Sequence, residues 1–98
     1  MYQLTENWLE DFITWNNQPS SSSIAESITY IPADGTFDFI YWNIANLVKG
    51  WQDGSIANYG MLLRDIDEST IRTRKYFYSS DHSNTNQRPK LVIDYYIP

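Results

Sequence analysis

The side chains best suited to bind a ligand alternate along one short segment of the second half. With the two-residue period of a β-strand, one face of residues 71–79 carries Arg72, Arg74, Tyr76 and Tyr78. The opposite face carries Phe77 and the other odd-numbered residues. Guanidinium groups bind carboxylates or sulfates through paired hydrogen bonds, and tyrosine rings stack on the apolar faces of sugars. This stripe is therefore typical of a surface for an acidic polysaccharide.

The same stripe has a second interpretation. In it the tyrosines are half-buried sheet residues and the arginines pair with acidic groups of the first half. Arg88 and Lys90 lie on either side of Pro89. They either extend the cationic stripe or protect a strand edge against aggregation. The sequence is compatible with both interpretations.

Other polar groups give weaker indications of chemistry. His82 is the one histidine of the chain, it lies in a polar loop, and no G-x-S-x-G motif occurs, so an ordinary surface histidine is the preferred interpretation. Acidic residues cluster at 6–11 and at 65–68, beside loop formers where carboxylates are usually solvated. Positions 65–68 offer carboxylates to calcium but lack the glycine and closing glutamate of an EF-hand loop, which favours a polar turn. The sequence therefore predicts no catalytic residue, no metal and no cofactor.

Length and composition narrow the class of protein. The 98 residues suffice for a single domain, and 16% of them are aromatic. The absence of cysteine excludes disulfides and thiol nucleophiles, and a net charge of -5 argues against a nucleic-acid partner. No apolar run approaches the ~18 residues of a membrane span, so we expect no membrane insertion.

Charge is distributed unevenly along the chain. Residues 1–48 contain six acidic and no basic residues, whereas residues 49–98 contain seven basic and six acidic ones. An anion-binding surface must therefore come from the second half.

Hydrophobic periodicity predicts mostly strands. Strands are expected near 11–15, in a hairpin formed by 24–31 and 36–42, and at 60–66, 71–79 and 89–97. One segment has the helical period instead, with an apolar stripe at Ile44, Leu47, Val48 and Trp51. Asn43 is suited to cap this helix and Gly54 to end it. The pattern favours an antiparallel β-sandwich with one short helix, and Trp15 and Trp51 are expected in its core.

Several residue blocks carry a family resemblance. They read W-x-E from Trp8, T-W-N-N-x-P from Thr14, W-x-x-G from Trp51, N-Y-G from Asn58 and R-P-x-L from Arg88. In these blocks and their order the chain resembles the DNRLRE and disaggregatase-related surface domains, which include carbohydrate-binding module family 96. The resemblance implies a jelly-roll-like, all-β module of an extracellular or cell-surface protein.

The resemblance has two departures. Asn43-Ile44-Ala45 stands where the family usually has Asp-Val-Thr at the helix entry, so a neutral cap is kept and a carboxylate is lost. The matching blocks also correspond to the C-terminal half of the family's domain. Residues 1–98 are therefore expected to be one β-sandwich module, the C-terminal part of a larger domain whose upstream part is its partner.

Together these features predict a noncatalytic surface module that binds a polysaccharide. The predicted binding residues are Arg72, Arg74, Tyr76, Tyr78 and Arg88. One alternative is a purely structural spacer of a surface protein. Another is an accessory part of a polysaccharide-degrading enzyme.

Overall fold

The computed structural model describes residues 1–31, 39–67 and 75–97. The regular elements are strand β1 (Tyr2–Gln3), helix α1 (Ala45–Asp53) and strand β2 (Met61–Leu62), together with three single turns of 3-10 helix, Glu10–Phe12, Trp15–Asn17 and Thr85–Gln87. Over these ranges, no helix has the length and apolar character needed to cross a membrane.

The sheet brings the start of the chain against residues near position 60. β1 pairs antiparallel with β2, so that Tyr2 lies opposite Leu62 and Gln3 opposite Met61. The other edge of this segment contacts the serine-rich loop, where Ser22 donates its N–H to the Gln3 carbonyl at 2.9 Å. Residues 1–5 thus lie between two segments that are distant in sequence.

Leu4 continues this central position beyond β1. It forms a bridge with Ser21 on one side, and on the other its N–H donates to the Gly60 carbonyl at 3.2 Å. Its side chain is 3% exposed. Leu4 therefore joins the sheet to the small core beneath it.

Helix α1 confirms the predicted helical period. The stripe residues Ile44 and Leu47 are 8% and 0% exposed. The Asn43 side-chain oxygen accepts the Ala45 N–H at 3.1 Å, and Gly54 ends the helix with φ of +80°, a conformation that glycine adopts without strain. Local sequence signals at both ends thus set the bounds of α1.

The end of α1 turns back tightly on the helix. Gly50 is buried and its carbonyl accepts the Ile56 N–H at 3.0 Å, and a side chain at this position would overlap the Ile56 side chain. The Asp53 carboxylate accepts the Ser55 N–H at 2.8 Å. Hydrogen bonding to Ser55 holds the pKa of Asp53 below its ordinary value.

The hydrophobic core is small. Among the described residues the buried apolar side chains are those of Tyr2, Leu4, Ile44 and Leu47. Twenty other large apolar side chains of the described residues are exposed, and eight of these lie between Phe77 and Ile97. The chain's radius of gyration is 15.1 Å, compared with ~13 Å for a compact domain of about 100 residues.

The strand predicted at 11–15 is wrong. Two 3-10 turns, Glu10–Phe12 and Trp15–Asn17, occupy this region. The Asn17 side chain donates to the Phe12 carbonyl at 2.7 Å and accepts the Thr14 N–H. An asparagine that bonds nearby backbone groups in this way removes them from a strand ladder. Trp15 was expected in the core, but its side chain is 77% exposed.

The other predicted strands are shorter than expected or missing from the described residues. The strand at 60–66 is reduced to β2, and no strand occurs in the described parts of the segments 24–31, 36–42, 71–79 and 89–97. The hairpin turn at 32–35 lies outside the described residues. Strand-forming residues make a strand only where a neighbouring edge supplies hydrogen bonds.

The two arms of the predicted hairpin nevertheless approach each other. The Thr29 hydroxyl donates to the Tyr41 carbonyl at 2.5 Å. In the described part of the chain, regular structure thus consists of a two-stranded antiparallel sheet, one helix and short 3-10 turns.

Candidate functional site

The predicted cationic and aromatic stripe is described only in part. Tyr76 and Tyr78 are 84% and 56% exposed, and Arg88 is half-buried. Arg72 and Arg74 lie outside the described residues. The structure therefore gives the surroundings of three of the five predicted binding residues.

Phe77 contacts a different part of the chain from its two tyrosine neighbours. Its ring centroid lies 6.1 Å from that of Trp42, in a tilted arrangement. The Tyr78 ring contacts His82 instead, with 4.0 Å between ring centroids. Successive aromatic side chains thus have different neighbours, although Phe77 itself remains 51% exposed.

His82 connects Tyr78 to Arg88. The Arg88 Nε donates to the His82 carbonyl at 2.7 Å, while the His82 ring lies against Tyr78. The His82 Nδ1 also lies within hydrogen-bond distance of the Asn84 N–H, at 3.1 Å. Tyr78, His82 and Arg88 form what we call the C-terminal cluster.

The loop that carries this cluster is held by short-range hydrogen bonds. The His82 N–H donates to the Ser79 carbonyl at 3.2 Å. The Asn84 side chain caps the 3-10 turn Thr85–Gln87 by accepting the Asn86 N–H at 3.0 Å. Polar residues of this loop therefore position Arg88. The sequence did not indicate that His82 takes part in this.

Lys90 is directed away from this cluster. Its Nζ lies 4.7 Å from the centroid of the Phe39 ring, a cation–π contact. The lysine therefore contacts an aromatic residue of the first half.

A second candidate site lies near the start of the chain. It is a surface pocket of about 370 Å³ whose lining includes Leu4, Trp8, Ile13, Trp15 and Met61. Leu4 is buried, Trp8 is 39% exposed and Trp15 is 77% exposed. The buried leucine thus forms the floor of the pocket and Trp15 its rim, and we call this site the tryptophan pocket.

The turn at Asn58, Tyr59 and Gly60 fixes the Trp8 ring. The Trp8 Nε1 donates to the Tyr59 carbonyl at 2.6 Å. Gly60 adopts φ of +87°, and its N–H donates to the Asn58 side-chain oxygen at 3.1 Å. Because L-residues with side chains are strained at such a φ, glycine allows this turn to present the Tyr59 carbonyl to the indole.

The two 3-10 turns direct Trp15 outward. The Asn17 side-chain oxygen accepts hydrogen bonds from both the N–H and the hydroxyl of Thr14. The Gln18 Nε2 donates to the Trp15 carbonyl at 3.0 Å. The side chains of Asn17 and Gln18, which both follow Trp15, thus fix the backbone that carries the exposed indole.

A smaller and more polar hollow adjoins this pocket. It measures about 150 Å³, shares Trp8 and Ile13 with the tryptophan pocket, and is also lined by Glu6 and Asn7. The Glu6 carboxylate accepts the Ser20 N–H at 2.7 Å. The two hollows therefore share the Trp8 and Ile13 side chains.

The sequence contained signals for this site that the strand interpretation obscured. That interpretation places Trp15 in the core. The turn formers that follow Trp15, Asn16-Asn17-Gln18-Pro19, are the signal that could have placed its side chain at the surface.

Comparison with known families identifies the class of module. A model of carbohydrate-binding module family 96 matches residues 1–95. The chain belongs to carbohydrate-binding module family 96. The resemblance inferred from the residue blocks is thereby confirmed. Searches of curated proteins and of solved structures gave no match.

Membership in this family supports carbohydrate binding as the role of the module. Two of the blocks that carried the resemblance, those beginning at Thr14 and Asn58, hold Trp15 and Trp8 in the tryptophan pocket. A third block begins with Arg88 of the C-terminal cluster. The blocks that carried the resemblance thus contribute to both the tryptophan pocket and the C-terminal cluster.

The acidic residues of the module form no metal centre in the described ranges. No group of three or more histidine, aspartate or glutamate side chains is placed there to hold a metal ion. Asp65 instead accepts the Asp67 N–H at 2.9 Å. This contact is typical of a polar turn.

Proposed function

We propose that this family 96 module is a noncatalytic part of an extracellular or cell-surface protein, and that it binds an acidic polysaccharide. The proposed binding surface comprises Arg72, Arg74, Tyr76, Tyr78 and Arg88. The observation that carries the proposal is the exposure of Tyr76 and Tyr78, together with the contact of Tyr78 with His82, whose carbonyl accepts the Arg88 Nε–H.

The chemistry of this surface suits a sugar that bears a carboxylate or sulfate. The Arg88 Nε is used by the His82 carbonyl, and the terminal guanidinium nitrogens make no hydrogen bond within residues 1–31, 39–67 and 75–97. They can form the paired hydrogen bonds that a carboxylate accepts. The exposed tyrosine rings add flat apolar surfaces for the sugar itself.

The charge distribution supports the same location. All seven basic residues lie in positions 49–98. An anionic polymer is therefore attracted to the second half of the chain and repelled by the acidic first half.

We further propose that the module belongs to a jelly-roll-like β-sandwich completed by the upstream part of the same polypeptide. The exposed apolar side chains of residues 91–97 support this arrangement, because a second sheet would cover them. Adding the upstream part should reduce binding of a hydrophobic dye by the module. Unchanged dye binding would contradict the arrangement.

A pull-down on immobilised polygalacturonate tests the proposed function. The wild-type chain should bind, and Arg74→Ala and Tyr76→Ala should each weaken binding about tenfold. Lys49→Ala removes an exposed cation outside the stripe, and Tyr96→Ala removes an equally exposed tyrosine ring. These two controls should bind like the wild type.

The outcomes separate this proposal from its alternatives. Full binding by Arg74→Ala and Tyr76→Ala would exclude the stripe as the site. Failure of the wild type to bind any glycan on an array would favour a structural spacer. Turnover of a polysaccharide by the chain, lost on substitution of one carboxylate, would instead favour an enzymatic role.

A further inference from the structure

The tryptophan pocket has no part in the binding surface proposed above. Its volume of about 370 Å³ lies within the ~300–1,000 Å³ range of small-molecule sites. Its lining is mainly apolar, and two indole rings contribute to it. A flat aromatic wall with an exposed rim suits a ring-shaped ligand that has an apolar face.

The pocket is also held rigid before any ligand arrives. The Trp8 indole is fixed by its hydrogen bond to the Tyr59 carbonyl, and the Trp15 carbonyl is bound by the Gln18 side chain. Because the Trp8 ring and the backbone at Trp15 are already fixed, the site loses less conformational entropy on binding. This rigidity distinguishes the pocket from the other exposed aromatic side chains, which lie outside it.

The surrounding charges argue for an uncharged ligand. No charged side chain lines the tryptophan pocket, and the adjoining hollow includes Glu6. Glu10 and Asp11 lie on the 3-10 turn just before Trp15. A uronate or sulfated sugar would be repelled here, whereas a neutral sugar would not.

Polar groups next to the Trp8 ring can bind hydroxyl groups. The side-chain amide of Asn7 lines the smaller hollow and has no hydrogen-bond partner in the described part of the chain. The Gln18 Nε2 is bound to the Trp15 carbonyl, which leaves its oxygen to accept a hydrogen bond. A purely apolar ligand would leave these groups unused, but a sugar has both an apolar face and hydroxyl groups.

We propose that the tryptophan pocket binds one or two neutral pyranose residues of a polysaccharide. This inference rests on the proposed function as a carbohydrate-binding module and adds a second site of different charge preference. Trp15 stacks on the sugar ring, Trp8 forms the wall, and Asn7 and Gln18 bind hydroxyl groups. The module then contacts neutral and acidic sugars at separate surfaces.

Titration of the full 98-residue chain with defined oligosaccharides tests the second site. The neutral probes are cellohexaose, mannohexaose and xylohexaose, and the acidic probe is hexagalacturonate, with binding followed by calorimetry and tryptophan fluorescence. At least one neutral probe should bind, and Trp15→Ala should weaken it about tenfold or more. Trp15→Phe, which keeps an aromatic ring, should retain most of the affinity.

Matched controls separate loss of the site from loss of the fold. Trp15 is 77% exposed, so its substitution should leave the backbone amide NMR signals of residues outside the pocket unchanged. Tyr96→Ala removes an aromatic side chain that is 86% exposed and does not line the pocket, and it should bind neutral probes like the wild type. Binding of hexagalacturonate by Trp15→Ala should also be unchanged.

The possible results distinguish this inference from the proposed function. If hexagalacturonate binds but no neutral probe does, the pocket proposal is wrong and the acidic-polysaccharide proposal stands. If a neutral probe binds equally to wild type and Trp15→Ala, the pocket is not its site. If neutral probes bind at the pocket and hexagalacturonate does not bind, the pocket stands and the cationic surface fails.

Discussion

The tryptophan pocket and the C-terminal cluster are built in opposite ways. The hydrogen bond that fixes the Trp8 ring joins residues 51 positions apart, whereas the one that fixes Arg88 joins residues six positions apart. The pocket therefore requires that the start of the chain pairs with β2. The cluster requires only that one loop adopts its local conformation.

The two regions also differ in charge. Most of the residues that line the pocket come from the half of the chain that has no basic residue, and the cluster lies in the half that has all seven. A neutral ligand at the first and an anionic ligand at the second follow from this division. The two proposed sites thus assign apolar stacking and ionic binding to different parts of one small module.

The largest expected effect comes from breaking the turn that supports Trp8. Gly60→Ala forces a side chain into φ of +87°, at a cost of about 1–2 kcal/mol in the free energy of unfolding. The new Cβ would meet Trp8 at an ordinary distance of 3.9 Å, so the backbone conformation and not a clash carries the cost. Urea denaturation should show this loss, and neutral-sugar affinity should fall because the Tyr59 carbonyl moves.

Gly54→Ala is the matched control for this variant. Gly54 has φ of +80° and open space around its Cβ position, but it lies at the end of α1. Its substitution should lower stability by a similar amount and leave neutral-sugar affinity unchanged. Equal loss of neutral-sugar affinity in both variants would contradict a specific link between the Gly60 turn and the pocket.

Salt should separate the two sites in the unmodified chain. Raising NaCl from about 0.05 to about 0.5 M shortens the screening length several-fold, so binding of hexagalacturonate should weaken about fivefold. Neutral-sugar binding at the pocket should change little, because no charged side chain lines it. Calorimetric titrations at the two salt concentrations measure both effects. An equal salt response of the two ligands would contradict the proposed difference in charge between the two sites.

The difference between local and long-range contacts also determines how much of each region could be predicted from the sequence. Helix α1 was predicted because its apolar period, the cap at Asn43 and the stop at Gly54 are local signals. The stripe residues Tyr76 and Tyr78 could be singled out because alternation along one segment is also local. The positions of Arg72 and Arg74 remain a prediction.

The tryptophan pocket could not be predicted, because it depends on contacts between distant segments. Nothing near Trp8 indicates that its indole meets the Tyr59 carbonyl. Trp15 was misplaced because β-forming residues before it outweighed the turn formers after it, although Asn17 binds the backbone of residues 12–14. Strands were overpredicted for a related reason, since a strand needs a partner edge that the sequence does not name.

A smaller effect is expected from removing the hydrogen bond of the Trp8 indole. Trp8→Phe keeps an aromatic wall but loses the Nε1 bond to the Tyr59 carbonyl, at a cost of about 0.5–1 kcal/mol. The urea midpoint should fall without a change in the denaturant slope. Trp42→Phe is the control, because Trp42 lies outside the pocket and contacts Phe77 through its ring. A larger loss of neutral-sugar affinity in Trp42→Phe would contradict the role of Trp8.

The smallest expected effect concerns how Arg88 is held. Arg88→Lys keeps the positive charge but loses the planar group whose Nε donates to the His82 carbonyl, so binding of hexagalacturonate should weaken about twofold. Arg88→Gln also removes the charge and should weaken it further. Neutral-sugar binding should be unchanged in both variants, because the cluster is held within its own loop. If Arg88→Lys instead reduced binding at the tryptophan pocket, the two regions would be coupled and the contrast between local and long-range construction would fail.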